Sequence, residues 1–111
     1  MIYVLYSPAS RQQIRDMFVS GTKAVRVVVD ARLGILAGGG ELHSDAEAAL
    51  LAEGCQQEDL WGASWNSETG QIRYDSIINY RARQKHFSAT VQDPALRARM
   101  AEIINDLLGG I

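Results

Sequence analysis

Three short segments carry residue types from which a site could be built. In the first, Gly38-Gly39-Gly40 runs directly into Glu41-Leu42-His43. Glycine lets a backbone approach a ligand closely or adopt positive φ, and a run of N–H groups ahead of a helix suits an anion. Glu41 and His43 stand two apart, so an extended chain points both to one face. A carboxylate beside an imidazole there is an acid/base pair working near neutral pH. The segment lacks the Gly-Lys-Ser/Thr ending of a P-loop and the spacing of a dinucleotide fingerprint. Its structural alternative is a bulge or a crowded strand crossing beneath a tryptophan, with His43 packed just ahead of a helix.

The second segment is Arg81-Ala82-Arg83-Gln84-Lys85-His86-Phe87. An extended run would put Arg81, Arg83 and Lys85 on one face, where guanidinium forks suit phosphate or carboxylate. His86 and Phe87 would add stacking of the kind that single-strand binders use. The run carries no RNA-recognition or KH signature, and its alternative is a solvated strand face. The third segment holds Trp61 and Trp65, four apart and therefore on one side of a strand. Tryptophans either anchor interfaces or fill cores. Cys55 beside Gln56-Gln57 has no activating neighbour and reads as a plain thiol. Neither an HExxH motif nor a second nearby histidine completes a metal set around Glu41 and His43, so no metal and no cofactor is expected.

These residues must be positioned by surrounding elements. Ile2 to Tyr6 reads as a short strand. Ser7-Pro8 opens a helix, or Ser10 with Gln13 opens it one turn later as a capping box. Ile14, Met17 and Phe18 form its buried face, and Gly21 ends it. Ala24 to Ala31 is the strongest strand, with Val25, Val27 and Val29 on one face and Arg26 and Asp30 on the other. A turn at Arg32-Leu33-Gly34 returns the chain through Ile35-Leu36-Ala37. Ser44-Asp45-Ala46-Glu47 has the residues of a second capping box, and Gly54 suits the left-handed C-terminus of that helix. Leu60 to Asn66 is a strand, and Asn66 to Gly70 a hairpin loop. Ile72, Tyr74, Ile77 and Ile78 slip in phase near Ser76, which predicts a bulge there. Asp93-Pro94 caps a last helix striped by Leu96, Met100, Ile103, Ile104 and Leu107, ended by Gly109 and Gly110. The expected fold is α+β, in the order β-α-β-β-α-β-β-(β)-α. It has a largely antiparallel sheet of four to five strands and three helices on one face.

The chain has 111 residues, 47% apolar and 22% charged, which suits one domain spanning 1–111 and argues against disorder. No run approaches the ~20 apolar residues of a membrane span, and the N-terminus has no secretory signal. A lone cysteine suits a reducing compartment, most simply the cytoplasm. The net charge of −2 is a cancellation. Residues 1–40 carry +3, residues 41–70 carry −7 with no Lys or Arg, and residues 71–111 carry +2. So acidic a chain is no general nucleic-acid coat.

The run from Val27 through Trp65, then Ser76 to Gln84 and the closing Asp93-to-Met100 helix, resembles a small uncharacterised bacterial family seen notably in cyanobacteria. The likeness spans roughly residues 2–108. Its most specific pieces are Gly34 to His43, Gln57 to Gly62, and Ile78-Asn79 through Arg83-Gln84. Ala82 departs from the proline that such proteins carry there. The resemblance implies a free-standing domain and brings no activity. The preferred expectation is a non-catalytic binding or assembly module, a homodimer. The first rival is a metal-independent phosphate-ester hydrolase or nuclease using His43 and Glu41, with Arg81, Arg83 and Lys85 stabilising charge on phosphate. A binding-only rival holds a nucleotide or RNA, or another small anion, through the Arg81–Lys85 run and Gly38, Gly39 and Gly40.

Overall fold

The structure, a computed structural model, describes residues 1–109. Its centre is β2 (Ala24–Asp30), where Val25, Val27 and Val29 alternate with Arg26, Val28 and Asp30. The branched side chains suit a pleated surface, and the alternation gives β2 one apolar face and one mixed face. It is flanked on one side by β3 (Ile35–Gly39), which pairs outward with β1 (Ile2–Leu5), and on the other by β4 (Leu60–Asn66) and then β5 (Ile72–Arg73). The strand order is β1-β3-β2-β4-β5, with every pairing antiparallel. Three helices complete the fold: α1 (Arg11–Met17), α2 (His43–Ala52) and α3 (Pro94–Leu108). The expected α+β class and element order hold.

The helices are divided between both faces of the sheet, against the expectation of one. On one face, Ile14 and Met17 of α1 and Met100, Ile103, Ile104, Leu107 and Leu108 of α3 pack on Val25, Val27, Val29, Trp61, Ala63 and Trp65. On the other, Ala46 and Leu50 of α2 pack on Val28, Ile35, Ala37 and Leu60, with Cys55 alongside. Val28 is the reason. It lies on the face opposite its valine neighbours and is fully buried, so that face too needs a cover. Trp61 and Trp65 are core residues, not the exposed interface anchors considered above.

Local sequence explains most helix ends. Ser10 caps α1 with both bonds of the capping box: its hydroxyl accepts the Gln13 N–H, and the Gln13 side chain accepts the Ser10 N–H. The later of the two expected starts is therefore the one used. The helix stops at Met17, short of Gly21. Asp93 caps α3 through the Ala95 N–H, with Pro94 at the first position. Gly109 follows its last turn; Gly110, expected to share that role, lies outside the described residues. At the end of α2, Gly54 is left-handed and donates to Leu51, while Cys55 donates to Leu50. That is the double bond pattern of a Schellman closure. The Ser44–Glu47 box is not made. The helix begins at His43 after an uncapped Leu42, because Glu47 turns instead toward Arg81, 3.8 Å away.

Beyond β5 the expected bulge is absent. The strand ends at Arg73, and Ser76 caps a 3-10 turn over Ile77–Asn79 by accepting the Ile78 N–H. A second 3-10 turn covers Ala82–Gln84. The optional further strand is replaced by this compact segment, tied back by bridges between Asp75 and Thr90 and between Arg81 and His86.

Candidate functional site

The glycine segment is part of the sheet. Gly38 and Gly39 pair with Tyr3 and Ile2 of β1, so their backbone groups are not an open cradle. A Cβ at Gly38 would come within 2.8 Å of the Met17 sulfur and 3.3 Å of Val25. Gly39 has φ +101, and a Cβ there would collide with the Met1 carbonyl. These glycines let β1 and α1 close on β3.

Glu41 and His43 are not brought together. Gly40, at φ +78, bends the chain out of β3, which ends the alternation the pairing relied on. Glu41 is exposed, and no hydrogen bond or ion pair among the described residues joins it to His43. His43 is half-buried at the start of α2 and donates Nε2–H to the Ala63 carbonyl at 2.7 Å. Burial holds its pKa below the ordinary histidine value, with Arg26 acting the same way and the Ala63 bond opposing both. The imidazole is a neutral tie between α2 and β4.

Arg81 is likewise removed from the basic run. The 3-10 turn breaks the expected alternation, so Arg81 points inward while Arg83 and Lys85 stay exposed. Its Nε donates to the Ile78 carbonyl at 3.0 Å, one Nη donates to Gln57 and Gln84, and the other donates to the Leu60 carbonyl. The guanidinium carbon stands 4.6 Å from the Trp61 ring centre, and Glu47 supplies the counter-charge. Burial lowers its pKa from the usual value, and Glu47 opposes that shift. Arginine keeps its charge in proteins.

Asn79, to which the sequence alone assigns no role beyond the family likeness, is fully buried. Its carboxamide oxygen accepts the Gly62 N–H at 2.8 Å, and its amide donates to the Gly62 carbonyl at 3.0 Å and the Ala89 carbonyl at 3.1 Å. Its own carbonyl accepts His86 Nδ1–H at 2.6 Å. The outer edge of β4 is therefore closed in three ways: Arg81 at Leu60, Asn79 at Gly62, and β5 at Ser64 and Trp65. Gly62 is required here, since a Cβ would lie 2.6 Å from that of Ser76.

This clamped segment presents apolar groups to solvent. Ile77 is 80% exposed, Tyr80 53% and Phe87 65%, and the two rings meet edge to face at 6.1 Å. Arg83 and Lys85 flank them. A cleft of about 510 Å³ separates Gln56–Glu58 from Tyr80–Gln84. Among the described residues, no group of three or more His, Cys, Asp or Glu could hold a metal ion. No helix of the described residues is long and apolar enough to cross a membrane.

A family model described as a protein of unknown function (DUF5674) matches residues 3–107. No curated protein and no solved structure matches significantly.

Proposed function

Given that the chain belongs to the DUF5674 family, whose function is unknown, we propose that it is a non-catalytic assembly module, a homodimer formed through Ile77, Tyr80 and Phe87. One observation carries the reading: three large apolar side chains are held outward on a backbone fixed from within by Asn79, Arg81 and His86. Exposed clusters of this kind, rimmed by polar groups, mark contact surfaces. A second copy is favoured as the occupant because the rim carries both signs. Arg83 and Glu58 line the same cleft, and a two-fold axis would set each Arg83 against the partner's Glu58. The reading extends to the cytoplasm of a bacterium, which the lone buried thiol suits.

Light scattering on a sizing column at tens of micromolar tests it. The expected mass is twice the 12.2 kDa of the chain. Tyr80→Ser with Phe87→Ser should return a folded monomer that still melts cooperatively, at a midpoint lowered only by the lost association and no longer dependent on protein concentration. A wild-type monomer, or a dimer indifferent to the substitutions, overturns the proposal. A nucleotide or RNA reading keeps some support from the free Arg83 and Lys85 beside two exposed rings. It requires binding to a labelled oligonucleotide that weakens steeply between low and moderate salt. The hydrolase reading has lost its geometry, since Glu41 does not reach His43 and Arg81 is bonded to carbonyls.

A further inference from the structure

We propose that the free edge of β1 binds an extended, basic peptide as a sixth strand of the sheet. β1 stands at the end of the strand order and pairs only with β3. An antiparallel pair uses the inward backbone groups of alternate residues, so the remaining groups of β1 face away from the sheet. No turn or loop among the described residues bonds to them. The opposite flank is handled differently: β5 is two residues long, and Asn79 and Arg81 take up β4 groups beyond it. β1 reads Ile-Tyr-Val-Leu in unbroken register, with no charge, proline or bulge to keep another strand away. Such an edge is what strand-adding peptides pair with.

The charges beside the edge select the occupant. Ile2 and Val4 lie on the α2 side of the sheet, Tyr3 and Leu5 on the other. Asp45 stands at the Ile2 end: a Cβ at Gly40 would meet Ile2 at 3.0 Å and Asp45 at 3.8 Å. Glu53 stands at the far end, where it accepts the Tyr6 hydroxyl. On the opposite face Asp16 accepts the Tyr3 hydroxyl at 2.8 Å. None of these carboxylates belongs to an ion pair among the described residues. The eight residues from Asp45 to Glu53 rise about 12 Å along α2, and four strand residues span about 13 Å. An added strand therefore meets both carboxylates with Lys or Arg four residues apart, and sets an apolar residue beside Val4 between them. A second copy of β1 is disfavoured. Antiparallel self-pairing centred on Val4 would set Ile2 against Tyr6 and so bring Asp45 of each copy beside Glu53 of the other. None of these residues belongs to the Ile77–Phe87 surface, so this edge and the proposed dimer stand or fall separately.

The test titrates the peptide Thr-Lys-Thr-Val-Thr-Lys-Thr, blocked at both ends, into 15N-labelled protein. Saturable shifts and slowed hydrogen exchange should centre on the Ile2–Leu5 amides and spare Ile77–Phe87. The peptide with Glu for both Lys should lose about tenfold or more in affinity. A peptide with Pro-Pro for its central Thr-Val should lose as much, since whichever of the two faces β1 no longer donates. Asp45→Asn with Glu53→Gln should bind the lysine and glutamate peptides equally, and a melting curve establishes that this variant is folded. In the wild type the lysine preference should shrink from low to moderate salt, which tests the charges without a substitution. No saturable shift at millimolar peptide, shifts centred away from β1, equal affinity for the glutamate or proline peptide, or a lysine preference indifferent to salt or kept by the folded double variant overturns the proposal. Protection of the Ile2–Leu5 amides that grows with protein concentration alone assigns the edge to a second copy and also overturns it.

Discussion

At the residue scale, polar side chains in this protein mostly replace backbone partners. Asn79 is the clearest case, so Asn79→Ala should be severe. It strands the buried N–H and C=O of Gly62 at once, and a cost of about 3 kcal/mol is expected from unmet buried groups. Urea unfolding measures it; a loss below about 1 kcal/mol would show that water replaces the carboxamide. His43 gives a pH dependence. Its folded pKa lies below the ordinary value of 6.5, so in the intervening window the unfolded chain binds the extra proton. The stabilisation from neutral His43 is therefore complete above that ordinary value and is lost as pH falls through the folded one. The stability gap between wild type and His43→Gln should widen from roughly pH 5 to pH 8, and a constant gap would contradict a buried neutral ring. Cys55 is inert by the same logic: burial and the neighbouring Asp30 push its thiol up to about 11, in keeping with the plain thiol expected from its neighbours. The roles of Arg81 and Asn79 were not legible, because a residue type names what a side chain can bond but not which carbonyls the fold brings within reach.

At the scale of elements, legibility followed how local the determining contacts were. Ser10 with Gln13, Asp93 with Pro94, and Gly54 act over a few residues, and each does what its type suggests. Ser10→Ala should cost about 1 kcal/mol, read as a lower urea midpoint with an unchanged slope; an unchanged midpoint would mean that α1 is held by packing alone. The Ser44–Glu47 box had equally good local credentials and failed, because Glu47 has a distant partner in Arg81. Residues 74–85 were misread for a related reason. Their alternation suggested a strand, yet they form two 3-10 turns whose bonds run to β4, Gln57 and Ala89. Periodicity reports the face a residue turns to. It says little where the neighbours that define the faces lie far along the chain.

At the scale of the whole molecule, a single sheet carries two unequal cores. The α1/α3 face holds both tryptophans, and the α2 face holds neither. Because β2 contributes to both, they should melt together. Leu50→Ala, on the face without a tryptophan, should cost about 2–5 kcal/mol and shift the tryptophan-fluorescence and circular-dichroism midpoints equally. Separate midpoints would show that α2 unfolds alone. The charge partition visible in the sequence also changes meaning at this scale. Of the six basic residues after position 70, Arg81, Arg97 and Arg99 donate to backbone carbonyls, so half of the positive block is tied to the backbone. The way β4 is edged has one more consequence. A bare strand edge invites recruitment of further chains, the first step toward fibrils. Here a carboxamide and a guanidinium occupy hydrogen-bonding positions that an incoming strand would need, and a side chain has no backbone to pass on. Asn79 and Arg81 thus act as chain terminators for sheet growth on that flank.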